Sequence, residues 1–326
     1  MNNTTIEWTN KTWNPITGCT PISPGCANCY ARRMAKRLAG RVGYPEAPHE
    51  FDVTLHPERL GEPLRWKKPA RVFVCSMSDL FHEDVSFEFV DKIMAVIGRS
   101  QQHTFQILTK RSDRMAEYFA QDRYDNILRE AYGLQFRVDG MGQGISNPSR
   151  FGLPNIWIGV TAENQEQADK RIPTLLQIPA VIKFVSVEPM LGPVDLRYLQ
   201  PNDPPTEINA LTGTHGVLRP HRGTCPRLNW VIVGGETGPG ARPMHPDWAR
   251  SLRDQCVEAG TPFFFKSYGD WIRSDFVPNN WSQVTFMDME GQKRDPANGF
   301  EFWRIGKKAA GRWLDGREWN EYPEVK

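Results

Sequence analysis

Apolar residues along this chain come in short solid blocks, separated by longer stretches of helical spacing. Arg71–Cys75, Thr104–Thr109, Asn155–Thr161, Val181–Val187, Asn229–Val233 and Pro262–Lys266 are runs rich in β-branched and aromatic residues. They are too short for buried helices, and each predicts a strand covered on both faces. Between them, Ser86 to Gly98 repeats apolar residues at Phe89, Ile93, Met94 and Ile97, the spacing of one helical face. Further helices are predicted through about Phe119, from about Gln165 to Leu176 and from Pro246 to Glu258. The lead-in over residues 4–18, with Trp8 and Trp13 as packing residues, adds a first strand. Strands that alternate with helices and are apolar throughout predict an α/β chain: a parallel sheet of six or seven strands, joined by right-handed crossovers and covered by helices.

In such sheets the chemistry collects at the carboxyl ends of the strands. Following each strand outward gives Cys75-Ser76-Met77-Ser78-Asp79, Thr109-Lys110-Arg111, Thr161-Ala162-Glu163-Asn164, Ser186-Val187-Glu188-Pro189, Gly234-Gly235-Glu236-Thr237-Gly238 and Lys266. Strands in any protein end in polar turns, which accounts for part of this set. The recurrence of Asp79, Glu163, Glu188 and Glu236 beside Lys110, Arg111 and Lys266 points further, to a mouth that handles a zwitterion or polar substrate. The glycines at 234, 235 and 238 lack the G-x-G-x-x-G spacing of a dinucleotide fold.

Ahead of all but the first strand lies an irregular loop, Gly18-Cys19-Thr20-Pro21-Ile22-Ser23-Pro24-Gly25-Cys26-Ala27-Asn28-Cys29-Tyr30-Ala31, which holds three of the six cysteines with C-x6-C-x2-C spacing. A helix from Arg32 to Leu38 follows. Bunched thiols in a chain without secretory features suggest metal ligation before disulfides. A structural zinc wants a fourth ligand, for which Cys225 is the candidate; an iron-sulfur cluster held by three thiolates keeps one iron open to a small molecule. His49 and His56 lie in the Pro-, Gly- and His-rich connection over residues 40–64 and are read as ordinary surface histidines. Cys256 falls on a helical apolar face and is read as packing; Cys75 ends a strand, as a buried thiol or a hydrogen-atom donor.

The run Gly25-Cys26-Ala27-Asn28-Cys29-Tyr30-Ala31 resembles the cluster loop of radical S-adenosylmethionine enzymes, particularly the branch that contains spore photoproduct lyase. The chain over roughly residues 4–270 is also similar to a phage- and prophage-associated family of unknown function named for its three-cysteine motif. Two features depart from the superfamily: the first gap is six residues instead of the common three, and the aromatic Tyr30 follows the last cysteine. The resemblance implies a partial (β/α) barrel over residues 1–270, with an insertion at about 201–227 and a small β-rich appendage over 271–326. It implies a 4Fe-4S cluster on Cys19, Cys26 and Cys29, with S-adenosylmethionine on the fourth iron and a 5′-deoxyadenosyl radical that takes hydrogen from a substrate. By order along the barrel it assigns Ser76 and Asp79 to the methionine end, Thr161 and Glu163 to the ribose, and Glu188, Gly234 and Gly235 to cofactor or substrate. Cys75, Lys110, Glu236 and Lys266 remain as candidate catalytic groups.

Composition narrows the setting. Charged residues at 24% and hydrophobic ones at 39%, with no apolar run of membrane-spanning length, describe a soluble globular chain. Met1-Asn2-Asn3-Thr4-Thr5 is no signal peptide, so the expected location is cytoplasmic. The net charge of +2 is too small to announce a nucleic-acid partner from the total alone, yet residues 31–72 carry ten Lys or Arg against five Asp or Glu. That patch, with Arg219, His221, Arg222 and Arg227 in an insertion read as a loop or lid, suggests a nucleic acid or nucleotide substrate. The expected partners are a reductant such as flavodoxin or ferredoxin and, where the substrate needs delivery, a companion protein. The rival readings are a zinc-dependent nucleic-acid-binding protein and a cluster protein whose iron is structural or only transfers electrons.

Overall fold

The structure, a computed structural model, describes residues 4–135, 154–201, 206–217, 219–224, 226–273, 285–287 and 302–324. Cys225, Trp281 and the glycines at 140, 142 and 144 lie outside the described residues. Seven strands form the main sheet: β1 (Lys11–Trp13), β2 (Arg71–Val74), β3 (Thr104–Thr109), β4 (Ile156–Thr161), β5 (Ile182–Val187), β6 (Trp230–Gly234) and β7 (Phe263–Ser267). They stand in sequential order, and every neighbouring pair is parallel. Parallel strands in sequential order are joined by crossovers that are right-handed as a rule, which collects helices on one face and lets the sheet curl into a half-barrel.

The covering helices include α1 (Tyr30–Leu38), α2 (Phe87–Arg99), α3 (Ser112–Ala120), α4 (Tyr124–Gln135), α5 (Gln165–Gln177) and α6 (Pro246–Ala259). Their ends follow local chemistry. The Ser86 hydroxyl accepts from Phe89 N–H at the start of α2, and the Asn164 side chain accepts from Gln167 N–H at the start of α5. Gly260, at φ +64°, ends α6 in the left-handed conformation. The α4 helix was not expected from the sequence; among the side chains described, Ile127 and Ala131 are its buried hydrophobic residues.

Alternation along each strand sorts side chains between two layers. Val72, Val74, Ile158, Val160, Val185, Val187, Val231 and Val233 pack outward against Ile93, Ile97, Ile172, Leu175 and Leu252 of the helices. The concave face is an aromatic layer of Trp157, Phe184, Trp230 and Phe264, with Ile182 and Ile232 and with Phe73, Leu108 and Tyr322 against it. Trp8, from the segment before β1, inserts into this layer, its ring centroid 4.7 Å from Phe73 and 6.3 Å from Trp230. By the same alternation Lys110, Thr161, Ser186, Gly234 and Lys266 sit above that layer, at the carboxyl ends.

Two outlying regions flank the main sheet, and one of them covers an edge. Phe265 N–H donates to Trp319 O at 2.9 Å and Glu321 N–H to Phe263 O at 3.2 Å, so the carboxyl-terminal segment covers the open edge of β7. The insertion expected as a loop instead forms a three-stranded antiparallel sheet of Thr206–Asn209, Thr214–Val217 and Arg219–Thr224. Its strands gain backbone hydrogen bonds, which need no apolar period in the sequence. Among the described residues no helix is long and apolar enough to cross a membrane.

Candidate active site at the carboxyl ends of the half-barrel

The cysteine loop runs from a short strand, Ile16–Thr17, to α1 and lies over the carboxyl ends of the sheet. Gly18 begins it: its N–H donates to Met77 O at 3.0 Å, and its carbonyl accepts from Ser78 Oγ at 2.6 Å. Gly18 has φ +84°, and a Cβ there would lie 2.1 Å from Asp52 O, so only glycine fits this turn.

The first arm carries Cys19 and meets a cation. Arg111, just beyond β3, donates through Nη2 to Thr20 O at 3.0 Å and to Thr20 Oγ1 at 2.9 Å. Its Nη1 lies 3.4 Å from Cys19 Sγ. Glu83 accepts from Arg111 Nε at 2.9 Å, and Asp79 Oδ2 lies 3.5 Å from Nη1. His82 Nε2 sits 2.8 Å from Thr20 Oγ1. Asp79, assigned from sequence to the methionine end, also accepts from Thr109 Oγ1 at 2.7 Å, Lys110 N–H at 3.0 Å and Phe81 N–H at 3.0 Å. That buried carboxylate organises the first arm.

Carboxylates hold the second arm, which carries Cys26 and Cys29. Gly25 N–H donates to Glu163 Oε1 at 3.0 Å, and Glu163 Oε2 accepts from Arg171 Nη1 of α5 at 2.9 Å. Arg171 also donates to Thr161 O at 2.8 Å, joining the pair to the end of β4. Asn28 Nδ2 donates to Glu236 Oε2 at 2.9 Å, and Arg242 closes on both Glu236 oxygens at 2.6 and 2.8 Å. Arg242 Nη2 donates as well to Pro24 O at 3.0 Å. Burial alone would raise both carboxyls. The Ser23 hydrogen bond, the Arg171 charge and the Gly25 N–H hold Glu163 below the usual carboxylate range, and Arg242 and Asn28 do the same for Glu236. Glu163 and Glu236 thus each turn one oxygen to the loop and the other to an arginine.

The remaining candidates fall into a second group on the concave face. Lys266 Nζ pairs with Glu188 Oε1, and the backbone of Gly234 lies against both: a Cβ there would be 3.3 Å from Lys266 Cβ and 3.4 Å from Glu188 Cδ. Lys110, half-buried, makes no ammonium hydrogen bond or ion pair among the described residues, although its charge acts on Glu163. Gly235 serves close packing, since a Cβ would lie 1.9 Å from Tyr268 O. Ser76 Oγ donates to Asn14 Oδ1 at 3.1 Å, at the rim beside β1. Cys75 is buried, and burial pushes its thiol well above the ordinary range; Cys256 is buried in α6. His56, expected at the surface, is buried against Thr17, Nε2 to Oγ1 2.8 Å, whereas His49 is exposed beside Asp52.

Arg171, Arg242, Asn28, Asn14, His82 and Glu83 were not anticipated as site residues. Each completes a polar group: Arg171, Arg242 and Asn28 a carboxylate, Asn14 and His82 a hydroxyl, and Glu83 the Arg111 guanidinium; no local pattern marks them.

The three loop cysteines are free and half-buried, and burial pushes the Cys19 thiol up to about 11, with the Arg111 charge offsetting part of the rise. Among the described residues no three His, Cys, Asp or Glu side chains are arranged as a ready-made metal site. In donor identity and in placement on one fastened loop the three thiols suit a thiolate-bound cluster, whose ligation requires that they lose their protons.

A family model described as "Protein of unknown function (DUF5131)" matches residues 3–323. No curated protein and no solved structure matches the chain.

Proposed function

Because the chain belongs to the family described as "Protein of unknown function (DUF5131)", which assigns no activity, we propose from the site alone that it is a radical S-adenosylmethionine enzyme. One observation carries the reading: a three-cysteine loop is tied from both sides across the carboxyl-end mouth of a sequentially ordered parallel half-barrel. Cys19, Cys26 and Cys29 would hold a 4Fe-4S cluster, which when bound supplies the electron that cleaves the S-adenosylmethionine sulfonium.

The chain's own residues do the rest. Lys110 offers a charge to a carboxylate, and Glu188, Lys266 and Thr161 supply polar contacts to an amine or ribose. Gly234 lets backbone approach the ligand. Below them the aromatic layer keeps water from the reacting centre. A nucleic acid or nucleotide is the proposed substrate class: residues 8–45 contain six Lys or Arg and no Asp or Glu, and Lys36 and Arg37 of α1 are exposed. A flavodoxin or ferredoxin would reduce the cluster, and the cytoplasm is the fitting compartment.

The test is iron, sulfide and zinc content after anaerobic purification, for wild type and Cys26→Ala, with 5′-deoxyadenosine assayed after adding dithionite and S-adenosylmethionine. About four irons and four sulfides per chain, with nucleoside lost in the variant, is the expected result. Stoichiometric zinc without sulfide would replace this reading with the zinc-dependent nucleic-acid-binding one. An intact, reducible cluster that never cleaves the cofactor would make the iron structural or electron-transferring.

A further inference from the structure

We propose that Arg111 is a positioning residue that raises the reduction potential of a cluster held by the loop, acting through its hydrogen bond to Cys19. The inference rests on the cluster reading above and adds a role that the sequence did not assign.

The guanidinium is almost fully committed. Nε faces Glu83, Nη2 is spent on Thr20, and Nη1 is aimed at the Cys19 sulfur at 3.4 Å with Asp79 behind it at 3.5 Å. Its side chain is 3% exposed, so salt and water screen its charge little. Among the described residues no other cation is hydrogen-bonded to a loop cysteine, and Cys26 has only the Ser23 hydroxyl, 3.9 Å away.

The sign follows from charge. Reduction adds one electron, taken from the reductant, and makes the cluster and its thiolates more negative. A fixed buried cation hydrogen-bonded to one sulfur stabilises that state more than the oxidised one. Removing the cation should therefore lower the potential. Glu83 partly neutralises Arg111, so removing the Glu83 charge should raise the potential. It should do so by less, because Glu83 is 61% exposed. Opposite signs from two neighbouring residues are what a charge effect requires; a loosened loop would move both variants the same way.

The experiment uses the full chain, anaerobically reconstituted, as wild type, Arg111→Gln, Arg111→Lys and Glu83→Gln. Midpoint potentials are read by EPR during dithionite titration, with iron counted in each sample. Arg111→Gln should shift the equilibrium about tenfold toward the oxidised form, about 59 mV for a one-electron couple. Arg111→Lys, which keeps the charge and preserves a readout if the glutamine variant fails to fold, should fall between it and wild type. Glu83→Gln should shift the opposite way. Equal potentials in iron-replete samples, or shifts of one sign in both Gln variants, overturn this inference while leaving the cluster reading intact. Absence of a cluster in wild type overturns the reading, and this inference with it.

Discussion

The two arms of the cysteine loop are held by opposite chemistry. On the first, a buried arginine backed by Asp79 and Glu83 is hydrogen-bonded to the Cys19 sulfur itself. On the second, the carboxylates Glu163 and Glu236, each backed by an arginine, grip the Gly25 N–H and the Asn28 amide; among the described residues the Cys26 and Cys29 sulfurs have no charged hydrogen-bond partner. The first arm is held through a buried guanidinium and the second through carboxylates. A mouth that looks uniformly polar in sequence is thus divided into two parts of opposite charge; on the proposed reading the first would tune the cluster and the second would position its ligands.

The largest test of this division is Glu163→Ala. Glu163 and Arg171 are 0% and 3% exposed, and removing one partner strands the other's charge in the interior. A loss of about 3–5 kcal/mol is expected by chemical denaturation. A loss under about 1 kcal/mol would mean that Arg171 finds solvent and that the pair does not carry the arm.

Glu236→Gln is the sharper and smaller change. The amide keeps an acceptor for Asn28 but surrenders the charge that faces Arg242, which is one-third exposed, so about 1–2 kcal/mol should be lost. Hydrogen exchange should quicken at the second arm and leave the Gly18 amide protected by Met77 O. Equal quickening at Gly18 would refute the independence of the arms.

The smallest effect is reversible. Glu163 and Glu236 have folded-state pKa values below their usual 4.5. Their contribution to stability is therefore complete above about 4.5 and is lost as pH falls through the lower folded values. Acidification below that point should accelerate exchange at Gly25, after correction for the intrinsic rate, before it does so at Gly18. Unchanged Gly25 protection down to pH about 3 would show that neither carboxylate needs its charge to hold the loop.

Much of the fold was legible because its signal is local. Solid blocks such as Thr104–Thr109 and Val181–Val187 can be buried only as strands, and β3 and β5 lie there within a residue. The antiparallel sheet at Thr206–Thr224 escaped notice because its strands carry little apolar pattern.

At the site, the polar exits of the strands were legible as positions and not as roles. Asp79, Glu163 and Glu236 look in sequence like Glu188: each is an acid just beyond a strand. Glu163 and Glu236 hold the loop directly, Asp79 backs the arginine that grips it, and Glu188 pairs with Lys266 on the concave face.

The sequence by itself determined the strand and helix blocks, the parallel sheet they must form and the loop that gathers three thiols. Each follows from spacing within a dozen residues. Only the tertiary structure decided which carboxylate faces the loop, which cation meets Cys19 and which aromatic residues line the concave face. Gly25 and Glu163 are 138 residues apart and Asn28 and Glu236 are 208 apart, so no local periodicity could encode their meeting. It follows from the order in which seven parallel strands curl and deliver their carboxyl ends to one mouth.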